Sequence, residues 1–519
     1  MTVWLRLIPL LLLAVAVPAQ VAGQTAFLEP AAGETTAKPK GACAGLRGLT
    51  DYEFSVATAS LIPGSGNVPE YCRVTGQILP EVRFEVSMPA NWNRRFYMTG
   101  NGGYAGEPLE APQRTRQREA AMRRGLAFAI TDTGHNAITE PLGTFALNSQ
   151  KLLDYAFRSL HVTAVTAKRV IEAYYGMKPS RSYFEGCSTG GRQALMLAQR
   201  FPEDFDGIIA GAPVLNFTGT MVSYACSVQA LRANPIPYAK IKLLADSIYG
   251  RCDERDGLRD GLIEDPRRCE FAASRDLPRC PAGTDTAECF TAGEIRTLER
   301  IYSDVVSQGR RIFPGWPVGS EISGGDGRSG WDNWVVRQDG RPVTWELFGE
   351  TFFRYLAFEQ KDPGYSLSRF DLEKDPGRLG WISAVLDATD TDLSPFRDRG
   401  GKLLMYFGWA DSALNPRMGV EYYEGVLERM GAQTPGFFRL FMAPGMFHCG
   451  GGPGPNSFDM LRPLLDWVEA GRAPDRIIAS QNVAGKTART RPLCPYPQVA
   501  RYSGTGSVDE AASFTCSLP

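Results

Sequence analysis

Short apolar runs alternate with longer helical patterns between Asp51 and Pro213, and each apolar run ends in a loop that contains glycine or proline. The runs are "RFEVSMP", "RRFYMTGNGG", "GLAFAITDTGH", "RSYFEGCSTGG" and "FDGIIAGAPV", and the helical pattern "LLDYAFRSLHVTAVTAKRVIEAYYG" lies before the fourth. Alternation of strands with helices predicts a mostly parallel sheet covered by helices, which is an α/β fold. Ligands are then expected at the loops beyond the carboxyl ends of the strands.

The same pattern returns near the end of the chain, in "GGKLLMYFGWAD" (400–411), "GFFRLFMAPGMFHCG" (436–450) and a helix that ends at Gly471. Between Leu215 and about Phe396 the pattern changes: aromatic residues are frequent, four cysteines lie within residues 252–289, and the glycine-rich "SGGDGRSG" interrupts the chain. We therefore predict a core made of residues 24–214 and 397–519. Residues 215–396 are predicted to be an inserted second domain, a lid over the carboxyl edge of the sheet.

The first residues have the layout of a cleaved secretory signal. Arg6 precedes an apolar run from Leu7 to Val17, and small residues follow up to Gly23. Residues 1–23 are therefore predicted to be a signal peptide, and the mature protein is predicted to be secreted or periplasmic. No later stretch of about 18 uninterrupted apolar residues follows, so no membrane partner is expected.

The charge of the chain argues against one class of partner. Lysine and arginine together number 56 and aspartate and glutamate 57, which gives a formal net charge of -1. Proteins that bind nucleic acid carry a basic face, and this composition does not indicate one. We expect a small-molecule partner, and the sequence leaves the oligomeric state open.

Eleven cysteines in an exported chain indicate a framework of disulfide bonds, because oxidising compartments preserve such bonds. Their spacing favours four local pairs: Cys43 with Cys72, Cys252 with Cys269, Cys280 with Cys289, and Cys494 with Cys516. Three cysteines remain, Cys187, Cys226 and Cys449. Spacing alone does not pair these three, and the odd number leaves one thiol over.

The segment "GCSTG" fits the G-x-S-x-G pattern of a nucleophile turn and places Ser188 between a strand, "SYFE", and a helix, "RQALMLAQRF". Glycines permit the sharp turn that exposes the serine hydroxyl, and the start of the helix directs the Thr189 N–H toward a developing oxyanion. A second oxyanion donor is expected from a glycine loop after an early strand. "TGNGGYAG" offers Gly102 and Gly103 for this role, although a simple glycine turn remains an alternative.

A serine nucleophile needs a base, and the chain has three histidines. His448 lies in a loop after a strand and downstream of Ser188, which is where α/β hydrolases place their base. His161 falls within a helical pattern and His135 lies upstream of the serine, so we predict structural roles for both.

The acid that orients the base should lie between the serine and the histidine in the chain. Asp411 follows the strand "KLLMYF" directly, which favours it as the triad acid. Asp387, Asp390 and Asp392 are competitors, but no strong apolar strand precedes them directly.

The segment "CDERDGLRDGLIEDPRRC", residues 252–269, concentrates acidic residues around two glycines. Asp253, Asp256 and Asp260 at these spacings can offer oxygen ligands to one hard cation, and the expected ion is calcium. The segment differs from an EF-hand loop in the positions of its glycine and terminal glutamate. The alternative is a solvated acidic loop closed by a disulfide bond.

The residues Cys187-Ser188, Asp411 and His448-Cys449 resemble the CS-D-HC pattern of the tannase and feruloyl esterase family, which includes mono(2-hydroxyethyl) terephthalate hydrolases. The resemblance extends from about Cys43 to Cys516 and includes "YFEGCSTGGRQAL", "FDGIIAGAP", "DATDTDLSPF" and "DWVEAGRAPDRI". It implies an α/β-hydrolase core, an inserted lid and a structural calcium ion in that lid. The implied calcium ligands are the side chains of Asp253, Asp256 and Asp260 and the carbonyls of Leu258 and Leu262. The resemblance also implies a disulfide bond between Cys187 and Cys449, which leaves Cys226 as the free thiol.

The expected function is hydrolysis of aromatic or phenolic acid esters through an acyl-enzyme. For the substrate pocket we predict Arg354, Leu414 and aromatic side chains that stack on the acyl ring. These aromatic residues are Trp316, Phe352, Phe353, Phe358 and Phe407, the last of which stands where family members often carry histidine.

Arg354 decides between two substrate classes. If its guanidinium binds a substrate carboxylate, acidic monoesters such as hydroxyethyl terephthalate are plausible. If it forms a salt bridge instead, neutral feruloyl or galloyl esters are favoured. Two further alternatives are a serine peptidase and a non-catalytic, calcium-stabilised binding protein on a hydrolase scaffold.

Overall fold

The computed structural model describes residues 35–519, and the predicted signal peptide, residues 1–23, lies outside the described residues. Within them the β-strands, in chain order, are β1 Phe54–Ile62, β2 Tyr71–Ile78, β3 Val82–Pro89, β4 Arg95–Thr99, β5 Ala127–Thr131, β6 Arg181–Cys187, β7 Gly207–Gly211, β8 Val305–Ser307, β9 Arg310–Phe313, β10 Lys402–Gly408, β11 Phe438–Ala443, β12 Ile477–Val483, β13 Lys486–Leu493, β14 Val499–Tyr502 and β15 Phe514–Ser517. The α-helices are α1 Pro112–Arg123, α2 Ser149–Leu153, α3 Ser159–Tyr175, α4 Thr189–Arg200, α5 Phe217–Ala233, α6 Ile241–Cys252, α7 Ala273–Asp276, α8 Ala292–Tyr302, α9 Thr344–Tyr355, α10 Gly380–Leu386, α11 Ser394–Asp398, α12 Pro416–Met430 and α13 Leu461–Ala470. None of the described helices is both long enough and apolar enough to cross a membrane.

Nine of the strands form one sheet, in the spatial order β1-β2-β3-β5-β4-β6-β7-β10-β11. The strands from β5 to β11 in this order run parallel to one another. The strands β1, β2 and β3 are antiparallel, and β3 also pairs antiparallel with β5. The predicted α/β fold is confirmed. Alternation of strands with helices does not predict the antiparallel edge, because adjacent antiparallel strands are joined by short turns.

The parallel strands are buried on both faces, which explains why they are continuous apolar runs in the sequence. Every residue of β4, β5 and β7 is buried. Helices α3 and α4 cover one face of the sheet, and α1 and α13 cover the other. Strand β1, at the edge, instead mixes buried and exposed positions. This packing fixes the carboxyl ends of the strands at one edge, where the candidate site lies.

Residues 212–401, between β7 and β10, carry helices α5 to α11 and the hairpin of β8 and β9. One hydrophobic cluster continues from the sheet into this segment, since it contains both Phe184 of β6 and Phe352 of α9. The indole N–H of Trp345 also donates a hydrogen bond to the Ser412 carbonyl, 2.9 Å away, in the loop after β10. The segment therefore packs directly on the core, and its separation as a domain of residues 215–396 stays a prediction.

Disulfide bonds cross-link the described part of the chain at five places. They join Cys43 to Cys72, Cys187 to Cys449, Cys252 to Cys269, Cys280 to Cys289, and Cys494 to Cys516. Four of these pairs are the ones that spacing favours, and the fifth is the one that the family resemblance implies. Cys226 is a free, buried cysteine, and burial raises the pKa of its thiol.

His161 has a structural role on helix α3. Its Nδ1 atom lies 2.8 Å from Asp204 Oδ2, and its ring stacks on Phe201 at a centroid distance of 4.2 Å. The hydrogen bond to Asp204 raises the pKa of this histidine. The ring therefore ties α3 to the loop after α4, as expected for a packed and hydrogen-bonded helix residue.

Asp132, in the loop after β5, is predicted to make stability depend on pH. Its side chain is buried, 6 % exposed, and burial raises its pKa from 3.8 to about 7. Because the folded state then binds the proton more tightly than the unfolded state, the free energy of unfolding should fall as pH rises from about 4 to about 7. One pKa unit corresponds to about 1.4 kcal/mol, so a decrease of a few kcal/mol is expected.

Asp132→Asn tests this prediction by denaturant unfolding at several pH values. Asp132 Oδ1 accepts hydrogen bonds from the N–H groups of Arg83 and Gly134, at 2.9 and 2.8 Å, and the amide oxygen of asparagine can retain both. The stability of the variant relative to the wild type should increase from pH 4 to pH 7. Parallel stability curves for the two proteins would contradict the assignment.

Candidate active site

Ser188 lies at a sharp turn between β6 and α4, with φ 66° and ψ -121°. This left-handed backbone is rare for a residue with a side chain and is found at functional turns. The turn is possible because glycines stand two residues before and two residues after Ser188: a Cβ atom on Gly186 would lie 2.4 Å from the Gly190 carbonyl oxygen. The Ser188 N–H donates to the Gly211 carbonyl at 3.0 Å, which connects the turn to β7. The serine is thus raised above the carboxyl ends of two central strands.

His448 and Asp411 are joined by a hydrogen bond of 2.8 Å between Nδ1 and Oδ2. Asp411 is 1 % exposed, and its Oδ1 atom accepts the N–H groups of Ala413 and Leu414 at 2.8 and 2.9 Å. Both carboxylate oxygens therefore have partners, and the side chain is fixed in one orientation. Because Nδ1 faces Asp411, Nε2 is the nitrogen of His448 that can bind a reacting group, and in the structure it lies 3.7 Å from the disulfide sulfur of Cys449.

Ser188 and His448 line one cavity of about 330 Å³ at the carboxyl edge of the sheet. Cys187 and Cys449, the neighbours of these two residues in the chain, are joined by a disulfide bond with a Cα–Cα distance of 6.1 Å. The loop after β6 and the loop after β11 are thereby held together. Four other residues assigned from the sequence also line this cavity: Thr189, Gly102, Gly103 and Leu414.

The two candidate oxyanion glycines differ in their hydrogen bonds. The Gly102 N–H donates to Glu107 Oε1 at 2.9 Å, so this group already has an acceptor. The hydroxyl of Thr189 donates to the Gly103 carbonyl, which also accepts the Tyr155 hydroxyl at 3.3 Å. The glycine loop is therefore held against the first residue of α4, and Gly103 is the better candidate of the two.

His135 stabilises the glycine loop that contains Gly102 and Gly103. Its Nε2 atom lies 2.9 Å from the Tyr104 carbonyl, and its ring stacks on Phe145 with centroids 4.1 Å apart. Burial lowers the pKa of the imidazole, which favours its neutral form. The structure thus gives His135 a supporting position, as predicted.

The competing acids do not contact His448. Asp387 accepts hydrogen bonds from Thr218 and Ser383, which ties α10 to the start of α5. Asp390 and Asp392 accept backbone N–H groups two residues further along the chain. Of the four candidates, Asp411 is the one that is hydrogen-bonded to the histidine.

The walls of the cavity are apolar and aromatic, but most of the aromatic residues predicted for them lie elsewhere. Phe352, Phe353 and Phe358 are buried in the core, and Trp316 stacks on Tyr224 at a centroid distance of 6.2 Å without lining the cavity itself. Phe407 is buried within β10. The apolar residues that do line the cavity are Val214, Phe217, Met221, Tyr224, Trp334, Phe348 and Leu414.

The reason for this difference is the position of each ring along α9. Phe348 precedes Phe352 by one helical turn, and its ring is only partly buried. Its position on α9 brings it to the cavity, whereas Phe352 and Phe353 are fully buried. Spacing in the sequence places these rings on one helix but does not fix which turn of that helix reaches the cavity.

Arg354 also lies away from the cavity. Its Nε atom donates to the Tyr365 carbonyl at 2.8 Å, and its Nη2 atom lies 3.4 Å from Glu350. The guanidinium therefore forms the salt bridge that was the alternative to substrate binding. In the described structure, the cavity around Ser188 has no arginine or lysine in its lining.

The acidic loop after α6 brings carboxylates near one another. Gly257 and Gly261 adopt positive φ angles of 93° and 77°, which bend the loop. Burial, together with the neighbouring charge of Asp260, raises the pKa values of Asp253 and Asp256. Asp260 itself forms a buried ion pair with Arg491 at 2.6 Å. Within residues 35–519 no group of three or more His, Cys, Asp or Glu side chains is arranged to hold a metal ion.

A serine at a strand–helix turn, together with a histidine held by a buried aspartate, gives the arrangement of an α/β-hydrolase nucleophile site. The family model described as "Tannase and feruloyl esterase" matches residues 66–517. The chain therefore belongs to the tannase and feruloyl esterase family.

Several known proteins resemble this chain over most of its length. The mono(2-hydroxyethyl) terephthalate hydrolase of Piscinibacter sakaiensis is 35 % identical, over 89 % of this chain and 87 % of that protein. A probable feruloyl esterase B-2 of Aspergillus terreus is 29 % identical, over 88 % and 91 %. The crystal structure of feruloyl esterase B from Aspergillus oryzae superposes with a TM-score of 0.80, at 25 % identity, and covers 92 % of this chain and 99 % of that one. The predictions of this family and of a carboxylic ester hydrolase are confirmed.

The disulfide between Cys187 and Cys449 should support catalysis as well as stability. The bond closes a loop of 262 residues and joins the neighbours of Ser188 and His448. In the double variant Cys187→Ser/Cys449→Ser, kcat for a p-nitrophenyl ester should fall at least about tenfold, because small displacements of reacting groups reduce rates steeply. Unfolding free energy should fall by about 2–5 kcal/mol.

The double variant Cys494→Ser/Cys516→Ser is the matched control. It removes the disulfide bond that connects the end of β13 to β15. These residues are distant in sequence from the glycine loop and from the loops that carry Ser188 and His448. This control should lose stability but keep kcat at temperatures where it is folded. Equal kcat values for the two double variants would refute a positioning role for the Cys187–Cys449 bond.

Proposed function

We propose that the protein is a serine carboxylic ester hydrolase that cleaves esters of aromatic acids through an acyl-enzyme. The observation that carries the proposal is the 2.8 Å bond between His448 and the buried Asp411, beside the cavity that His448 shares with Ser188. The family and the similar proteins support ester hydrolysis independently.

In the first half of the reaction, Ser188 Oγ attacks the ester carbonyl carbon while His448 Nε2 accepts the hydroxyl proton. Asp411 holds the imidazole through Nδ1 and stabilises the positive charge that develops on the ring. The tetrahedral intermediate then collapses, the bond to the alcohol oxygen breaks, and His448 returns its proton to that oxygen. In the second half, water attacks the acyl-enzyme by the same route and releases the acid.

The negative oxygen of the tetrahedral intermediate needs preorganised donors. We assign the N–H groups of Thr189 and Gly103 to this role. The Thr189 N–H lies at the start of α4, where the helix dipole also favours negative charge. The hydrogen bond from the Thr189 side chain to the Gly103 carbonyl keeps the two donors at a constant separation.

The cavity favours a neutral aromatic acyl group. Its volume of about 330 Å³ is lined by Phe217, Tyr224, Trp334 and Phe348, which can contact a phenyl ring through their faces and edges. The Trp334 ring lies edge-on to His448 at 5.6 Å, close to the reacting groups. Since the lining contains no cationic side chain, feruloyl or galloyl esters are favoured over an acid monoester.

Hydrolysis of mono(2-hydroxyethyl) terephthalate is the second candidate function. Its support is the 35 % identity to an enzyme of that name over 89 % of the chain. A free carboxylate on the acyl ring would need a positive or hydrogen-bonding partner at the far end of the cavity. Arg354 does not supply it, because it is paired with Glu350.

For residues 215–396 we propose a lid domain that binds one structural calcium ion. Asp253, Asp256 and Asp260, with the carbonyls of Leu258 and Leu262, are the proposed ligands. The support is chemical: hard carboxylate and carbonyl oxygens suit calcium, and a cation would compensate the charge of Asp253 and Asp256, whose pKa values are raised by burial and by the neighbouring charge of Asp260. The ion would stabilise the loop and take no part in the reaction.

Export of the mature protein is also part of the proposal. The N-terminal pattern of residues 1–23 indicates a signal peptide. Five disulfide bonds in the described part of the chain suit an oxidising compartment, because cytosolic proteins rarely keep such bonds. These two observations support a secreted or periplasmic location.

Ser188→Ala should lower the hydrolysis of methyl ferulate and methyl gallate about a thousandfold or more, since the nucleophile is lost. Asp411→Asn should lower kcat by a similar or larger factor, because the amide no longer holds the histidine in the required tautomer. Initial rates for both variants and the wild type provide the measurement. Asp387→Asn, which changes a competing acid away from the cavity, should retain kcat and is the matched control.

The same assays separate the competing functions. Unchanged turnover by Ser188→Ala would indicate a binding protein whose measured activity has another source. Cleavage of an anilide as fast as the matching ester would indicate a peptidase. Faster cleavage of mono(2-hydroxyethyl) terephthalate than of the two methyl esters would favour the second candidate function.

Chelation should destabilise the protein if the acidic loop holds calcium. Excess EGTA is expected to lower the Tm by roughly 2–5 °C, because an ion that binds only the folded state stabilises it. Added calcium should restore the Tm. In Asp256→Asn the effect of EGTA should disappear, whereas in Asp246→Asn, which changes an exposed carboxylate of α6 paired with Lys242, it should persist. An unchanged wild-type Tm in EGTA would refute the calcium proposal.

A further inference from the structure

A second and larger cavity lies next to the one that contains Ser188. Its volume is about 510 Å³, and it lies between α1 and the carboxyl ends of β4, β6 and β10. Two of its lining residues, Gly102 and Cys187, also line the first cavity. The glycine loop and the residue before the nucleophile therefore form a wall between the two cavities.

The inner part of this second cavity is polar. The Tyr97 hydroxyl donates to Glu185 Oε2 at 2.7 Å, and Tyr406 lines the cavity beside them. Burial raises the pKa of Glu185, which favours a carboxyl group that can both donate and accept hydrogen bonds. A polar surface at this depth is costly unless its groups are satisfied by partners.

Two buried atoms on residues of this lining lack hydrogen-bond partners among the described residues. They are the hydroxyl oxygen of Thr99, a residue 4 % exposed, and the Nε atom of Arg114, a residue 1 % exposed. Buried polar atoms in folded proteins nearly always have a partner. A ligand with hydroxyl or carboxylate oxygens can supply these partners.

The outer part of the cavity carries positive charge from α1. Gln113, Arg116 and Gln117 line it from the first half of the helix, and Arg116 is exposed. Arg114 and Arg124 also line it, at 3.3 and 3.4 Å from their carboxylate partners Glu107 and Asp459. Because Arg114 and Arg124 are already paired, Arg116 is the one arginine of the lining that has no carboxylate partner among the described residues. An anionic ligand is favoured, and the planar guanidinium of Arg116 suits a carboxylate.

We propose that this cavity is a second binding site, for a small carboxylate that also carries a hydroxyl group. The carboxylate binds at Arg116 with the amides of Gln113 and Gln117, and the hydroxyl reaches Thr99 and the Tyr97–Glu185 pair. A ligand here contacts Gly102 and so adds a contact to the glycine loop from the side opposite to the ester. Phenolic acids released by the proposed reaction belong to this chemical class, and that one connection rests on the proposed function.

Binding of 4-hydroxybenzoate to full-length protein tests the site by titration calorimetry. The first cavity is closed beforehand by reaction of Ser188 with phenylmethylsulfonyl fluoride, and mass spectrometry confirms the label. The labelled protein should still bind one equivalent of 4-hydroxybenzoate. Benzoate, without the hydroxyl, and 4-hydroxybenzyl alcohol, without the carboxylate, should each bind at least about tenfold more weakly.

Two variants assign the binding to the second cavity. Arg116→Gln removes an exposed charge, and Thr99→Val replaces a buried hydroxyl by a methyl group of similar size. Each should weaken 4-hydroxybenzoate binding about tenfold or more and leave hydrolysis of a p-nitrophenyl ester unchanged. Arg123→Gln is the matched control, because it removes a charge from α1 outside the cavity lining and should bind normally.

The outcomes separate this proposal from the proposed function. Absence of a covalent label on Ser188 would count against the nucleophile and would leave the titration of unlabelled protein as the test of the site. Loss of all binding after labelling, or equal affinity in Arg116→Gln and the wild type, would overturn the second site. Equal affinity for benzoate and 4-hydroxybenzoate would overturn the role of the hydroxyl contacts.

Discussion

The backbone conformation of Ser188 is the constraint on which the rest of the site depends. A residue with a side chain at φ 66° is strained by about 1–3 kcal/mol, and it persists only where its surroundings determine it. Here the surroundings are close contacts of backbone with backbone. A Cβ atom on Gly191 would lie 2.3 Å from the Gly211 carbonyl oxygen, so α4 can approach β7 only because that position is glycine. Burial of α4 between the sheet and the inserted segment offsets the strain.

The segment between β7 and β10 stabilises the acid loop as well as lining the cavity. The hydroxyl of Ser412 donates to the Gly330 carbonyl, and the hydroxyl of Tyr224 donates to the Ala413 carbonyl. The indole of Trp345 donates to the Ser412 carbonyl from a third direction. Because these bonds fix the two residues that follow Asp411, the inserted segment and the loop that orients His448 are one packed unit. A change in the pocket walls can therefore alter the position of the acid.

The sequence predicts the features of this protein that depend on local pattern. Strands that end in glycine loops, a serine flanked by glycines and an aspartate directly after an apolar strand are all visible as short motifs, and the structure places Ser188, His448 and Asp411 where those motifs indicate. The pocket walls depend on which turn of α9 reaches the cavity and on the position of Trp334, which are set by contacts between distant segments. Aromatic residues of the core and of the cavity have the same appearance in the sequence. For that reason Phe348 could not be distinguished from Phe352, nor the salt bridge of Arg354 from a substrate contact.

The disulfide bond between Cys187 and Cys449 determines when the two loops that it joins lose their conformational entropy. Two loops 262 residues apart in the chain are brought together once, when the protein folds and the bond is oxidised, and the loss of chain freedom belongs to that event. The hydroxyl of Thr189 also donates a hydrogen bond to the Gly103 carbonyl, which holds the glycine loop against the start of α4. The glycine loop and the loops that carry Ser188 and His448 are therefore ordered before a substrate binds. Little further conformational freedom has to be lost during each turnover. Maturation in an oxidising compartment would in this way be a step in building the catalytic geometry.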